Sequence, residues 1–297
     1  MEIQSSIFGI SSFGIHNPKT PFFPSKATPL SAPKQVLFKT HFSLSSNLSF
    51  TKQTLKVSAS VAKVECEIGT INIFEDGLKR KIRKKNLAVF VSGGGSNFKS
   101  LHEATVNGFI HGDISVLVTN KPDCGGAEFA RDKGIPVISF PKLKDGSGLS
   151  SHVLVTALRS YKVDFILLAG FLKLLPAELI KAYPRSILNI HPSLLPAFGG
   201  KGYYGMKVHE AVIASGARYS GPTIHYVDEE YDRGRILAQR IVPVLANDTA
   251  EELAGRVLHE EHKLYQEVVA ALCEDRIIWR EDGVPLIQCK ENPNLYM

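Results

Sequence analysis

Short apolar runs alternate with amphipathic stretches along the chain from residue 86 to residue 190. Five buried strands are predicted by apolar runs that are rich in β-forming residues, at 86–92, 113–119, 135–140, 164–169 and 186–190. Apolar positions at helical spacing lie between them and predict helices around 98–104 and over 126–133, 150–161 and 175–182. Strands and helices that alternate in this way predict an α/β fold with a doubly wound, mostly parallel sheet.

The pattern changes after residue 205, where two strand-like runs follow each other without a helix between them. These runs, 220–227 and 236–243, flank an acidic loop that contains a glycine, so we expect an antiparallel pair at the sheet edge. Helices are predicted on either side of the pair, at 206–215 and 250–273. The folded domain is therefore expected over residues 86–281, followed by a polar, loosely packed tail at 282–297.

The first 60 residues show neither helical nor alternating periodicity. They contain 12 serines, six lysines, no arginine and a single acidic residue, Glu2. A Ser-rich, acid-poor leader is typical of an organelle transit peptide, which would be cleaved near Val57–Val64. The lack of arginine favours the plastid, with the mitochondrion as a second destination. A disordered regulatory tail is the alternative.

The formal charge of +6 is concentrated at the N-terminus, because removal of residues 1–60 leaves 29 basic and 28 acidic residues. A large nucleic-acid-binding face is therefore not expected. Residues 61–85 end in a basic run, 79–85, which we interpret as a solvated linker, with an RNA patch as the alternative. The chain has no apolar run long enough to span a membrane, and its four cysteines lack metal-ligand spacing, so neither membrane nor metal is expected.

A glycine-rich loop, Gly93–Asn97, follows the first predicted strand. A turn from strand into helix exposes backbone N–H groups at the positive helix end, which suits a phosphate. Ser96 and Asn97 add polar side chains to the loop. The pattern fits neither the Walker loop nor G-x-G-x-x-G, so a tight structural turn is the alternative.

The string NIHPSLLP (Asn189–Pro196) ends the fifth predicted strand, where active sites of open α/β sheets lie. Asn189 and His191 point to the same side of an extended segment, because side chains alternate. An amide and an imidazole on one face can stabilise an oxyanion and move a proton. Two prolines, Pro192 and Pro196, stiffen the loop that follows.

Two charged segments are candidates for ligand contacts. The loop Asp228–Gly234 carries carboxylates that could raise the pKa of a nearby imidazole, or it could be a solvated hairpin loop. Glu261 and His262 lie on the long predicted helix, where a surface position is the simpler interpretation.

NIHPSLLP resembles the core motif of the folate-dependent formyltransferases, and the resemblance extends from about Asn86 to Arg276. It implies a Rossmann-like formyltransferase fold and a catalytic domain at 86–281. Four further strings are similar to motifs of the branch that acts on glycinamide ribonucleotide: VSGGGSN (91–97), LLAGFLKLL (167–175), TIHYVDEEYDRG (223–234) and VLHEEH (257–262). The loop at 197–205 is longer than in many relatives, so no contacts are carried over to it.

The resemblance implies a role for residues in each motif. The catalytic residues would be Asn189, His191 and Asp232. The ribonucleotide would be bound by Gly95, Ser96, Asn97, Leu258 and Glu261. The folate would be bound by Leu172, Lys173, Leu174, Leu175, Asp228 and Asp232.

The resemblance also implies transfer of a formyl group from 10-formyl-tetrahydrofolate to the amine of glycinamide ribonucleotide, in purine (IMP) biosynthesis and without a metal. Asn189 and a protonated His191 would stabilise the oxyanion, and Asp232 would keep His191 protonated. No nucleic-acid or membrane partner is implied, and monomer and homodimer both stay open. The alternative enzyme is a formyltetrahydrofolate deformylase, in which water replaces the amine. Outside the enzymes, the alternative is an RNA-binding protein that uses the run 79–85.

Overall fold

A computed structural model describes residues 83–141 and 151–296, which contain eleven strands and six helices. The strands are β1 Lys85–Val91, β2 Gly112–Thr119, β3 Val137–Ser139, β4 Phe165–Leu168, β5 Ile187–His191, β6 Tyr219–Ser220, β7 Thr223–Tyr226, β8 Ile236–Gln239, β9 Val242–Pro243, β10 Ile277–Trp279 and β11 Pro285–Ile287. The helices are α1 Ser96–Val106, α2 Gly125–Asp132, α3 Ser151–Ser160, α4 Ala177–Ala182, α5 Met206–Ser215 and α6 Ala250–Cys273. The predicted transit peptide, 1–60, and all of the linker before Arg83 lie outside the described residues.

A seven-stranded sheet forms the centre of the fold, in the order β3-β2-β1-β4-β5-β7-β8. The strands β1 to β5 pair in parallel, whereas β7 is antiparallel to both β5 and β8. The predicted fold class, a mostly parallel sheet with an antiparallel edge, is thereby confirmed. The carboxyl ends of β1, β4 and β5 lie side by side, which places the loops that follow them at one edge.

Helices cover both faces of the sheet. One apolar core packs α1, α2 and α6 against one face, and a second core packs α3 and α4 against the other. The side chain of Tyr265 on α6 is fully buried, and its hydroxyl donates to the carbonyl of Leu168 on β4 at 3.2 Å. The long helix therefore contacts the strands that carry the predicted site. None of the helices described is long and apolar enough to cross a membrane.

Two parts of the chain differ from the sequence-based expectation. The predicted strands 220–227 and 236–243 are each interrupted, giving the short pair β6–β9 beside β7–β8. The break lies at Gly221, where φ is 142° and a Cβ atom would overlap the carbonyl of Arg240. The prediction of a loosely packed tail at 282–297 was also wrong for its first part, because β11 pairs with β10 and the side chain of Ile287 is buried in the core. Its short apolar stretch has too few residues for a periodicity to be visible.

The described end of the basic run is fixed by carboxylates. Arg83 donates to Asp164 at 2.8 Å, Lys84 lies 2.5 Å from Asp113, and Lys85 lies 2.8 Å from Asp275. These pairs are largely exposed, so each contributes little to stability. They leave these three cations engaged with the protein itself, which favours the linker interpretation over an RNA patch.

Candidate active site

The end of β5 holds two of the predicted catalytic side chains, Asn189 and His191. His191 is buried, and its Nδ1 lies 3.5 Å from Oδ2 of Asp232. Asp232 comes from the β7–β8 loop and has a left-handed backbone, with φ of 56°. Such a conformation is uncommon outside glycine and occurs where the surrounding structure holds it. The structure therefore brings together the two groups that the sequence placed 41 positions apart.

His225 on β7 completes this cluster and was missed in the sequence. It lies opposite Asn189 in the antiparallel pairing, and its Nε2 lies 3.0 Å from Nδ2 of Asn189. Its Nδ1 donates to the carbonyl of Tyr226 at 2.8 Å, which leaves Nε2 to face the Asn189 amide. The same Nε2 lies 3.6 Å from Oδ1 of Asp232. The signal was the alternation in TIHY, which places this histidine on the face of the predicted site.

The pKa values of His191 and Asp232 are both shifted downward by their surroundings. Burial lowers the pKa of His191, and although Asp232 and the Phe198 carbonyl raise it, the net shift is downward. Burial raises the pKa of Asp232, but His225, His191 and the Gly200 N–H lower it, and the net shift is again downward. Desolvation therefore outweighs the carboxylate in the pKa of His191. That Asp232 keeps His191 protonated during the reaction stays a prediction.

The segment after NIHPSLLP turns back onto both of these side chains. The carbonyl of Phe198 accepts from Nε2 of His191 at 2.9 Å, and the N–H of Gly200 donates to Oδ2 of Asp232 at 2.8 Å. The buried hydroxyl of Ser193 donates to the carbonyl of Ala197 at 2.6 Å and supports the turn. No contact was predicted for this segment, since its sequence is longer than the pattern it resembles.

The glycine-rich loop after β1 leads into α1 as predicted. Gly95 is the N-cap of α1, with φ of 73°, and a Cβ there would lie 2.9 Å from the Cα of Gly126. Ser96 is exposed at the first turn, which contains no acidic side chain. The free N–H groups of that turn can bind an anion.

Asn97 on α1 and Glu261 on α6 form a buried pair on the same side of the sheet. Nδ2 of Asn97 donates to Oε2 of Glu261 at 2.6 Å, and Oδ1 of Asn97 has no partner. Burial raises the pKa of Glu261, which the bond from Asn97 offsets only in part. The interpretation of Glu261 as a surface residue was therefore wrong. Leu258, which lies one helical turn before it, is half-buried.

Five of the six predicted folate residues line a small cavity after β4. Its volume is about 60 Å³, and its lining includes Lys173, Leu174, Leu175, Asn189, Asp228 and Asp232. Leu172 does not line this cavity. Its side chain is exposed, and its N–H donates to Oγ of Ser92 at 3.0 Å. Ser92 thereby joins the segment after β1 to the one after β4.

A larger groove lies elsewhere, between α6, β8 and the segment after β11. It has a volume of about 1110 Å³ and contains none of the predicted site residues. Within 83–141 and 151–296, no group of three His, Cys, Asp or Glu side chains is arranged to hold a metal ion. The absence of a metal from the reaction stays a prediction.

The sequence profile of the Formyl transferase family matches residues 85–269. The chain belongs to this family. The family prediction made from NIHPSLLP, and with it the prediction of an enzyme, is confirmed.

Individual formyltransferases are similar over most of the described chain. The chloroplastic phosphoribosylglycinamide formyltransferase of Vigna unguiculata is 73% identical over 217 residues, which cover 73% of this chain and 70% of that protein. The chloroplastic enzyme of the same name from Arabidopsis thaliana is 63% identical over 244 residues, or 82% and 81% of the two chains. The crystal structure of phosphoribosylglycinamide formyltransferase from Anaplasma phagocytophilum matches at 35% identity with a TM-score of 0.63, covering 70% of this chain and 95% of that one.

Proposed function

We propose that this formyltransferase transfers the formyl group of 10-formyl-tetrahydrofolate to the amine of glycinamide ribonucleotide, a step in purine biosynthesis. The observation that carries the proposal is the order of groups along one sheet edge. The anion-binding loop follows β1, the apolar folate loop follows β4, and the catalytic cluster ends β5. These strands are neighbours, so a phosphate, a pterin and a reacting carbon can be held together.

The reaction begins with attack of the ribonucleotide amine on the formyl carbon. The carbonyl π bond breaks, its oxygen becomes an oxyanion, and the attacking nitrogen becomes positively charged. Asn189 has one N–H bound to His225 and one left for the oxyanion. A donor of this kind contributes roughly 2.7–4 kcal/mol to stabilisation of a transition state.

The proposed acid–base steps begin from a neutral His191. We assign the neutral imidazole and the Asp232 carboxylate to accept the proton that the positively charged amine releases. The imidazolium then faces Asp232 and the Phe198 carbonyl, and both stabilise its charge. The proton passes to the leaving folate nitrogen as the oxyanion collapses and the carbon–nitrogen bond to folate breaks. This order replaces the protonated resting state expected from sequence.

Glu261 and Asn97 are assigned to the ribonucleotide. The buried carboxylate accepts from the substrate amine or its neighbouring amide, which compensates for the low stability of its charged form. Gly95 and Ser96 bind the phosphate, and Leu258 packs beside the ribose. A deformylase would need none of these contacts, because water has neither a phosphate nor a ribose.

The plastid is the proposed destination. Both plant relatives described above are named chloroplastic, and their names give no support to the mitochondrion. The Ser-rich leader at 1–60 would be the transit peptide. Whether the enzyme is a monomer or a homodimer stays open.

The proposal is tested by an absorbance assay on the chain from Val61 onward. The assay contains 10-formyl-tetrahydrofolate, with glycinamide ribonucleotide present or omitted. We expect folate product only when the ribonucleotide is present. Product formed equally without it would instead identify a deformylase, and no product in either mixture would contradict formyl transfer.

A further inference from the structure

We propose that the backbone of Phe198–Gly200 is the positioning element for both members of the acid–base pair, and that glycine is required at 199 and 200 for this reason. The inference rests on the proposed function, since it concerns how His191 and Asp232 are held for proton transfer. Phe198 and Gly200 act through these two side chains and contact no reacting atom.

The first contact fixes the tautomer of His191. A carbonyl can only accept, so the Phe198 oxygen requires a proton on Nε2 of His191. In the neutral ring Nδ1 is then the unprotonated nitrogen, and it is the one that faces Asp232. Phe198 reaches this position with φ of 54°, a left-handed conformation that is an outlier for a bulky residue. Its ring packs against the apolar cluster under α5 and α6, which holds the turned backbone in place.

The second contact fixes the carboxylate. Oδ2 of Asp232 accepts from the Gly200 N–H at 2.8 Å and lies 3.5 Å from Nδ1 of His191. Oδ1 of the same carboxylate faces His225 at 3.6 Å. The Phe198 carbonyl and the Gly200 N–H, two residues apart on the backbone, therefore hold the imidazole and the carboxylate facing each other.

The two glycines have different reasons to be glycine. A Cβ at Gly199 would overlap the buried side chain of Leu195 and lie 3.3 Å from the Cβ of Asp232. Gly200 has open space around it, but its φ of 94° is a conformation that other residues rarely adopt. A side chain at 199 displaces Asp232 directly, whereas one at 200 turns the N–H away from it.

Gly202 provides a matched control for Gly200. Its φ is 100°, no atom lies within 4 Å of its Cβ position, and no hydrogen bond joins it to the catalytic cluster. Alanine at either position therefore introduces the same backbone strain in the same loop. The Gly200 carbonyl also accepts from the Tyr203 N–H at 3.2 Å, and Gly202 lies inside the same turn, so both variants perturb that turn. Gly200→Ala alone changes the residue whose N–H donates to Asp232.

The charged groups around Asp232 set the expected pH response. His191 on β5 and His225 on β7 face the carboxylate, and His191 in turn lowers the pKa of His209 on α5 through space. The Gly200 N–H lowers the pKa of Asp232, so its loss raises that pKa. A carboxylate that must be ionised then fails at a higher pH, and the acidic limb of kcat/KM shifts upward.

The experiment compares Gly200→Ala, Gly199→Ala and Gly202→Ala with the wild-type chain. We expect at least a tenfold loss of kcat/KM near neutral pH and an upward shift of the acidic limb for the first two. Gly202→Ala should stay within threefold of wild type with an unchanged profile. The inference is overturned if Gly200→Ala and Gly202→Ala share the same rate and profile. If Gly200→Ala does not fold, Gly199→Ala decides, and wild-type kinetics in that variant overturn the inference.

A titration of the Asp232 carboxyl by carbon-13 NMR separates this inference from the proposed function. A wild-type chain that is inactive with both substrates contradicts the function and leaves the titration readable. A higher pKa of Asp232 in Gly200→Ala than in Gly202→Ala supports the positioning role. Equal values in the two variants overturn it.

Discussion

Two carboxylates buried at the same sheet edge have opposite electrostatic states. Glu261 has one neutral partner, the Asn97 amide, and its pKa is raised. Asp232 faces two imidazoles and a backbone N–H, and its pKa is lowered. Burial disfavours the charge of both groups, so the number and type of their partners decide the sign.

This difference indicates which half of the site is complete before substrate binds. The side with Asp232 already contains its counter-groups, as an acid–base pair requires. The side with Glu261 lacks a cation and leaves the Asn97 Oδ1 unsatisfied, both of which a bound amine and ribose could supply. One half is preorganised for proton transfer, and the other has polar groups without partners for a ligand.

The largest effect is expected from the preorganised half. Asp232→Asn keeps the shape and an oxygen for the Gly200 N–H but removes the negative charge that stabilises the imidazolium. Proton transfer by a positioned group is worth about 10²–10⁴-fold, so we expect kcat to fall by that range. Steady-state kinetics at saturating concentrations of both substrates measure the change.

Glu229→Gln is the control for this substitution, because Glu229 is an exposed carboxylate of the same loop. Its kcat should stay within about threefold of wild type, as expected for screened surface charge. Equal losses in the two variants would mean that net charge of the loop, rather than the pair with His191, determines the rate.

An intermediate effect is expected from the half that lacks a cation, with opposite signs for binding and stability. Glu261→Gln replaces the charged acceptor for the amine with a neutral amide oxygen, so KM for the ribonucleotide should rise about tenfold. The same substitution should stabilise the free protein at neutral pH. The amide avoids a buried charge and can donate toward Asn97 Oδ1, a gain of about 1 kcal/mol or 2–4 °C in Tm.

The pH dependence of that stabilisation has a defined sign. The folded-state pKa of Glu261 is raised above the ordinary glutamate value of 4.5. Just above pH 4.5 the native protein therefore keeps a proton on Glu261 that the unfolded chain has lost. Wild-type stability therefore falls as pH rises through this window, and the advantage of Glu261→Gln grows with pH. Glu260→Gln is the matched neighbour, because ion pairs with Lys263 and Arg240 lower the Glu260 pKa. A higher Tm in Glu260→Gln as well would contradict the explanation.

The physical pattern of the sequence predicted the fold and the place of Asn189 and His191, whereas Asp232 was expected only from the family resemblance. Buried parallel strands are continuous apolar runs, and Asn189 and His191 end one of them. What it could not predict depends on tertiary contacts. The pairing of β5 with β7 brings His225 to Asn189, and burial, which is not visible in the sequence, is the largest influence on the pKa of His191. Glu261 is a surface-type residue by sequence, and only the packing of α6 on α1 buries it.

The smallest effect is expected where the two halves touch. Tyr265 lies one helical turn from Glu261. The Tyr265 hydroxyl donates to the carbonyl of Leu168 on β4, and Leu168 also lines the folate cavity. Tyr265→Phe removes one buried hydrogen bond, so we expect a loss of about 1 kcal/mol, or about 2–4 °C in Tm. If the halves are independent, kcat/KM and its pH profile stay unchanged.

Tyr183→Phe is the control, because the Tyr183 hydroxyl is buried without a partner and its removal should cost nothing. A loss of activity in Tyr265→Phe with a shifted pH profile would show that α6 transmits changes from the ribonucleotide side to the acid–base pair. The opposite states of the two carboxylates would then be coupled, and the ligand that fills one half would also tune the other.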